Sequence, residues 1–133
     1  MDIDWNALHA AAVSIMQQAY APYSHFPVGV AGLVEDGRIV VGCNVENASY
    51  GLGLCAECGL VSALHSSGGG RLLAVYCVDQ QGTALAPCGR CRQLLLEHGG
   101  KELQVMGEHG PVTMNELLPW AFDADELRRG MHQ

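Results

Sequence analysis

Two short segments place the tightest restriction on this chain. Cys55-Ala56-Glu57 and Pro87-Cys88-Gly89-Arg90-Cys91-Arg92-Gln93 each open a stretch of helical apolar spacing. Pro87 suits the edge of a helix, where a missing N–H costs nothing. A helix N-terminus carries partial positive charge, which favours thiolate over thiol. Side chains in a first turn lean back toward the N-terminus, so Cys55 and Glu57 both reach a point just beyond the helix end. A fold that turns these two helix starts toward each other gathers three sulfurs and one carboxylate around a single point.

The rest of the pattern supplies such a fold. Asp4 is an N-cap candidate for a first helix, with Trp5, Leu8, Ala12, Ile15 and Ala19 at helical spacing. Pro22 and Pro27 bracket the loop that follows. Apolar runs at 28–34 and 38–43, joined by Glu35-Asp36-Gly37, read as a β-hairpin. Residues 55–65 read as a buried helix stopped by Ser66-Ser67-Gly68-Gly69-Gly70, residues 72–78 as a strand, 88–98 as a helix and 103–106 as a strand. Thr113 with Glu116 three residues on forms a capping box for a short helix cut by Pro119, and 124–129 form a last turn or two. The expected order, α-β-β-α-β-α-β-α, is a layered α/β domain: a mixed sheet with an N-terminal hairpin at one end and helices on its faces. One domain over residues 1–133 is expected.

Charge and apolar content narrow the partners. The formal net charge is −7, and the cations are Lys101 and six arginines, too few for a surface that grips a phosphate backbone. Nucleic acid is excluded on this ground. The chain is 49% apolar, a large share for its size, which points to an oligomer whose interfaces cover some of it. No apolar run approaches the length that spans a bilayer, so no membrane is expected. The segment Met1-Asp2-Ile3-Asp4-Trp5 is acidic where an export signal is basic and then apolar, so a cytoplasmic location is expected. In that reducing compartment, clustered cysteines point to metal and not to disulfides. Cys43 and Cys77 fall in apolar strands and are expected to be buried, inert thiols.

Cys55, Cys88 and Cys91 then read as three ligands of one zinc ion, with the fourth position open and Glu57 beside it. That donor set describes a catalytic zinc. A structural reading stands next to it: counting Cys58, the spacing is C-x2-C-x29-C-x2-C, as in a four-cysteine zinc module. Such a module needs no Glu57, and its cysteine pairs ordinarily sit in turns.

These residues resemble the cytidine deaminase family, whose pattern carries C-A-E on one helix and P-C-x-x-C-R-Q on the next. The resemblance extends to Tyr20-Ala21-Pro22-Tyr23-Ser24, Phe26-Pro27-Val28-Gly29, Gly42-Cys43-Asn44-Val45-Glu46-Asn47, Glu116-Leu117-Leu118-Pro119 and Phe122. It implies a three-layer cytidine deaminase-like fold and zinc-dependent hydrolysis of cytidine and deoxycytidine to uridine and deoxyuridine, with Glu57 moving the protons. It also implies that Phe26 lies against the pyrimidine, that Asn44 and Glu46 hold the ribose from one strand face, and that the backbone of Ala56 meets the pyrimidine edge. Tyr50 and Phe122 resemble residues that reach a neighbour's site in family homotetramers. A blasticidin-type aminohydrolase is the alternative, although its pattern lacks the Phe26 and Asn44/Glu46 segments. One position departs from the family: Cys58 stands where an arginine commonly follows C-A-E. Arg92, one turn after Cys88, is expected to balance the thiolate charge in its place, with Arg90 pointing elsewhere.

Overall fold

The computed structural model describes residues 2–131. Five strands form one mixed sheet in the order β2-β1-β3-β4-β5. Strand β1 (Gly29–Val34) pairs antiparallel with β2 (Ile39–Cys43) and with β3 (Leu72–Val78). Strand β4 (Gln104–Gly107) runs parallel to β3, and β5 (Gly110–Thr113) returns antiparallel along the edge. The predicted hairpin is present, and Gly37 takes its turn with φ 93°, a left-handed conformation that suits glycine.

Helix α1 (Trp5–Met16) covers one face of this sheet, and helices α2 (Ala56–Ser66) and α3 (Gly89–Gly99) cover the other. This gives three layers, and β1 is buried along its whole length. Asp4 caps α1 as expected, accepting from the Ala7 N–H at 3.0 Å. The buried stripe of α1 is Leu8, Ala12 and Met16, so Met16 takes the place given to Ile15 in the sequence pattern, and the helix stops before Ala19. Alternation in β1 splits the core. Val30 and Val34 face α2 and α3, while Ala31 and Leu33 face α1. A register shift between Leu33 and Val34 leaves Leu73 as an extra residue in β3. Leu72 and Cys77 thereby share the α2/α3 side, where a regular strand would put them on opposite faces.

Two features set the position of α2. Gly42 of β2 lies so close that a Cβ there would sit 2.3 Å from Ala56 O and 2.4 Å from Leu60 N. The first turn of α2 therefore rests directly on the β2 backbone. At the far end, His65 and His98 meet ring to ring, Nε2 to Nδ1 at 3.1 Å, joining the C-terminal turns of α2 and α3. The two helices lie side by side with their starts together.

Strand β5 takes up residues 110–112, unassigned in the sequence pattern, together with the cap residue Thr113. Pro111 is compatible with an edge strand, which leaves one side unpaired. The capping box is present: Glu116 N donates to Thr113 Oγ1 at 3.3 Å and Thr113 N donates to Glu116 Oε1 at 3.2 Å, opening α4 (Met114–Leu117). Helix α5 (Ala124–Met131) follows, and a 3-10 turn, Tyr50–Leu52, precedes α2. Among the described residues no helix is long and apolar enough to cross a membrane.

Candidate metal centre and nucleoside cleft

Cys55 is the N-cap of α2 and Cys88 the N-cap of α3, each with extended backbone (ψ 157° and 167°). Cys91 lies inside the first turn of α3. The three sulfurs fall within 4.8 Å of one another, the one such group of potential ligands among the described residues. Thiolates bound to one tetrahedral zinc at about 2.3 Å stand roughly 3.8 Å apart, so this cluster fits zinc without rearrangement of the helices. Burial pushes the Cys55 and Cys91 thiols up, with the charge of Glu57 adding to both. The Cys91 backbone N–H at the start of α3 favours the Cys88 thiolate and pulls that thiol down. Cys88 is the exposed member and Cys91 the buried one.

Cys58 is not part of the cluster. Its sulfur, one turn along α2, accepts from Arg90 Nη1 at 3.2 Å. This removes the four-cysteine module, which needs Cys58 as a ligand.

Glu57 is the one buried charged residue among those described, 4% exposed. Its Oε1 accepts from Cys77 Sγ at 3.4 Å. Cys77 is buried as expected, but it is bonded to the carboxylate and is not a bystander; Cys43, at the end of β2, is only half-buried. Val28, Asn44, Cys55, Ala56, Glu57, Cys77, Pro87 and Cys88 line a cavity of about 180 Å³ in front of the sulfurs. A larger cleft, about 480 Å³, adjoins it through Asn44 and Cys55 and is walled by Tyr23, Glu46 and Tyr50.

Asn44 and Glu46 both face this cleft, yet not from a strand. β2 ends at Cys43, and beyond it residues 44–46 are tied to the 20–28 loop. Asn44 Oδ1 accepts from Val28 N at 2.9 Å and its Nδ2 donates to Phe26 O at 3.0 Å. Glu46 Oε1 accepts from the N–H groups of Tyr23 and Ser24 at 3.0 and 3.1 Å, and its Oε2 from the Ser24 hydroxyl. That hydroxyl, ahead of the backbone bonds, holds the Glu46 carboxyl below its ordinary range. Both side chains therefore fix the loop that bears Phe26. The Phe26 ring is half exposed.

Arg92, expected to balance the thiolate charge, makes its hydrogen bonds to two backbone carbonyls. Its Nε donates to Pro87 O and its Nη1 to Leu117 O, each at 2.9 Å, so the guanidinium pins the start of α3 to the end of α4. Arg90, set aside in the sequence reading, instead donates to Cys58, a sulfur next to the cluster and outside it. Two residues from Cys88, it projects sideways off α3 toward α2, which sequence spacing along α3 alone does not reveal. Tyr50 and Phe122 are 86% and 62% exposed, and Gln93 Nε2 donates to Phe122 O at 2.7 Å.

Comparison with known proteins agrees with this geometry. Residues 4–107 match the family model of the cytidine and deoxycytidylate deaminase zinc-binding region. The chain is 60% identical over 128 residues to the cytidine deaminase of Mycobacterium tuberculosis, with 96% of each chain covered. Among solved structures, it superposes on cytidine deaminase from Mycobacterium leprae with a TM-score of 0.88 at 64% identity, covering 89% of this chain and 99% of that one. For the Mycobacterium tuberculosis structure the TM-score is 0.89 at 61% identity, covering 91% and 98%. With its three-layer fold, its three converging thiols and these likenesses along nearly its whole length, the chain belongs to the cytidine deaminase family.

Proposed function

We propose that this chain hydrolyses the exocyclic amine of cytidine and deoxycytidine, giving uridine or deoxyuridine and ammonia, in pyrimidine salvage. The observation that carries this reading is a buried carboxylate, Glu57, in a cavity that it lines together with Cys55 and Cys88, two of the three clustered thiols. Cys55, Cys88 and Cys91 hold one zinc ion per chain. When bound, zinc supplies the Lewis acidity that makes water a nucleophile near neutral pH.

Glu57 moves the protons. Its carboxylate takes one from the attacking water and delivers it to N3 of the ring, then carries a second to the leaving amine. Its burial in the first turn of α2 keeps bulk water from that shuttle. The backbone of Ala56 borders the pyrimidine edge, since Ala56 lines the inner cavity between Cys55 and Glu57. Phe26 lies against the ring. Asn44 and Glu46 face the outer cleft, where the ribose sits, and take its 3′ side while anchoring the loop behind it. Tyr50 and Phe122, exposed in one chain, complete a neighbour's site in a homotetramer. The enzyme acts in the cytoplasm on free nucleosides.

Three thiolates and one divalent ion leave a net negative charge that weakens the metal as a Lewis acid. Arg90 offsets it through Cys58, standing in for the arginine that commonly follows C-A-E. Guanidinium keeps its charge at every relevant pH, and the neighbouring sulfurs favour that charged form further.

The test is the ultraviolet absorbance change when zinc-loaded protein meets cytidine, deoxycytidine or cytosine. Turnover of the two nucleosides and not of the free base is expected. Turnover of none of them by zinc-replete protein overturns the reading.

A further inference from the structure

We infer that Cys77 is a positioning residue for this deamination: its thiol holds Glu57 Oε1 and leaves Oε2 as the oxygen that carries the proton. The inference rests on the deaminase reading above.

A glutamate's terminal torsion is soft and roughly two-fold, so an unheld carboxylate presents either oxygen. A proton shuttle that serves water, N3 and the amine in turn benefits when one oxygen keeps a fixed place. Cys77 supplies the hold from outside α2. It lies in β3 on the face toward α2 and α3, is 3% exposed, and puts Sγ 3.4 Å from Oε1. Its cross-strand partner Val30 in β1 faces the same side. Burial, reinforced by the charge of Glu57, pushes the Cys77 thiol far up, so the sulfur keeps its proton and acts as donor. The cluster of potential metal ligands does not include it. Cys77 also lines the inner cavity together with Cys55, Glu57 and Cys88, so it closes the wall behind the carboxylate.

A thiol is a weak donor, so the effect is modest and lies in kcat. The experiment compares zinc-loaded Cys77→Ala, Cys77→Val and Cys77→Ser with the wild type on cytidine, with zinc content measured for each. Alanine and valine remove the donor, one leaving space and the other filling it; serine keeps a donor. The expected result is a kcat lowered about three- to tenfold in Cys77→Ala and Cys77→Val, KM within about twofold, one zinc per chain throughout, and kcat restored in Cys77→Ser. Wild-type kcat in both donor-free variants overturns the inference. So does an equal loss in all three, which marks Cys77 as packing only, or a loss confined to KM. Failure of the deaminase reading is distinct, because the wild type itself then turns over no nucleoside.

Discussion

Arg90 and Cys58 join α3 to α2 at the rim of the thiol cluster, with Nη1 3.2 Å from Sγ. The pair puts a permanent cation on Cys58, one turn along α2 from Cys55, by reaching across from the neighbouring helix. Arg92, nearer in sequence to the expected role, is instead spent on the Pro87 and Leu117 carbonyls.

The two arginines are therefore separable by experiment. Arg90→Ala is expected to release zinc to a chelator at least tenfold faster than wild type, with little change in melting temperature. Arg92→Ala is expected to lose about 1–3 kcal/mol of stability, the worth of hydrogen bonds from a charged donor, while holding zinc far better than Arg90→Ala. Urea unfolding and a colorimetric zinc-release assay read the two effects. Equal zinc release by both variants removes the special role of Arg90.

Metal ligation follows from the cluster. X-ray absorption at the zinc edge is expected to report three sulfurs and one lighter donor, with one zinc per chain. Cys58→Ala is expected to leave both the stoichiometry and the sulfur count unchanged, since Cys58 lies outside the ligand set. A four-sulfur shell that falls to three in this variant makes Cys58 a ligand.

Glu57 has no place in a purely structural site. Glu57→Gln is expected to retain zinc and fold while kcat falls about 10²–10⁴-fold, the usual worth of a positioned acid–base group. Near-normal turnover by the metal-loaded variant takes Glu57 out of the mechanism.

Glu46 serves both the loop and the substrate, and two measurements divide these roles. Its folded pKa lies below the ordinary value of 4.5, so the loop anchorage is complete above that value and is lost as pH falls through the lower, folded one. The Tyr23 and Ser24 amide resonances are expected to titrate there in the wild type and to be flat in Glu46→Gln. Glu46→Ala is expected to impair cytidine far more than a cytidine lacking the 3′-hydroxyl. An equal loss on both substrates confines Glu46 to the loop.

Gly42 sets the seat of α2. Gly42→Ala is expected to destabilise the fold by at least about 1–3 kcal/mol, because the added Cβ meets backbone atoms that cannot rotate away. Zinc content is expected to fall with it, since Cys55 and Glu57 move with the helix start. Thermal melting and metal analysis check this, and a wild-type melting temperature contradicts the packing described.

The sequence by itself determined the elements whose signals are local. The Asp4 cap, the Glu35-Asp36-Gly37 hairpin and the Thr113/Glu116 box depend on residues within one turn of each other, and all are present. The same holds for the cysteine-bearing helix starts, because cap geometry and helix polarity direct Cys55, Cys88 and Cys91 to the helix ends whatever surrounds them. What tertiary structure alone decided involves partners far apart in the chain. Cys77 meets Glu57 because pairing with Val30 of β1 turns it toward α2, and Arg90 meets Cys58 because α2 and α3 lie side by side. Arg92 is captured by a carbonyl of α4, and Asn44 and Glu46 leave β2 to hold a loop twenty residues upstream by polar contacts. Edge strand β5 likewise exists only because β4 offers it a partner, against the local preference of Gly110 and Pro111. Side-chain periodicity tells which face of an element is apolar; it says nothing of which polar group on another element waits opposite, and the chemistry of this site is settled there.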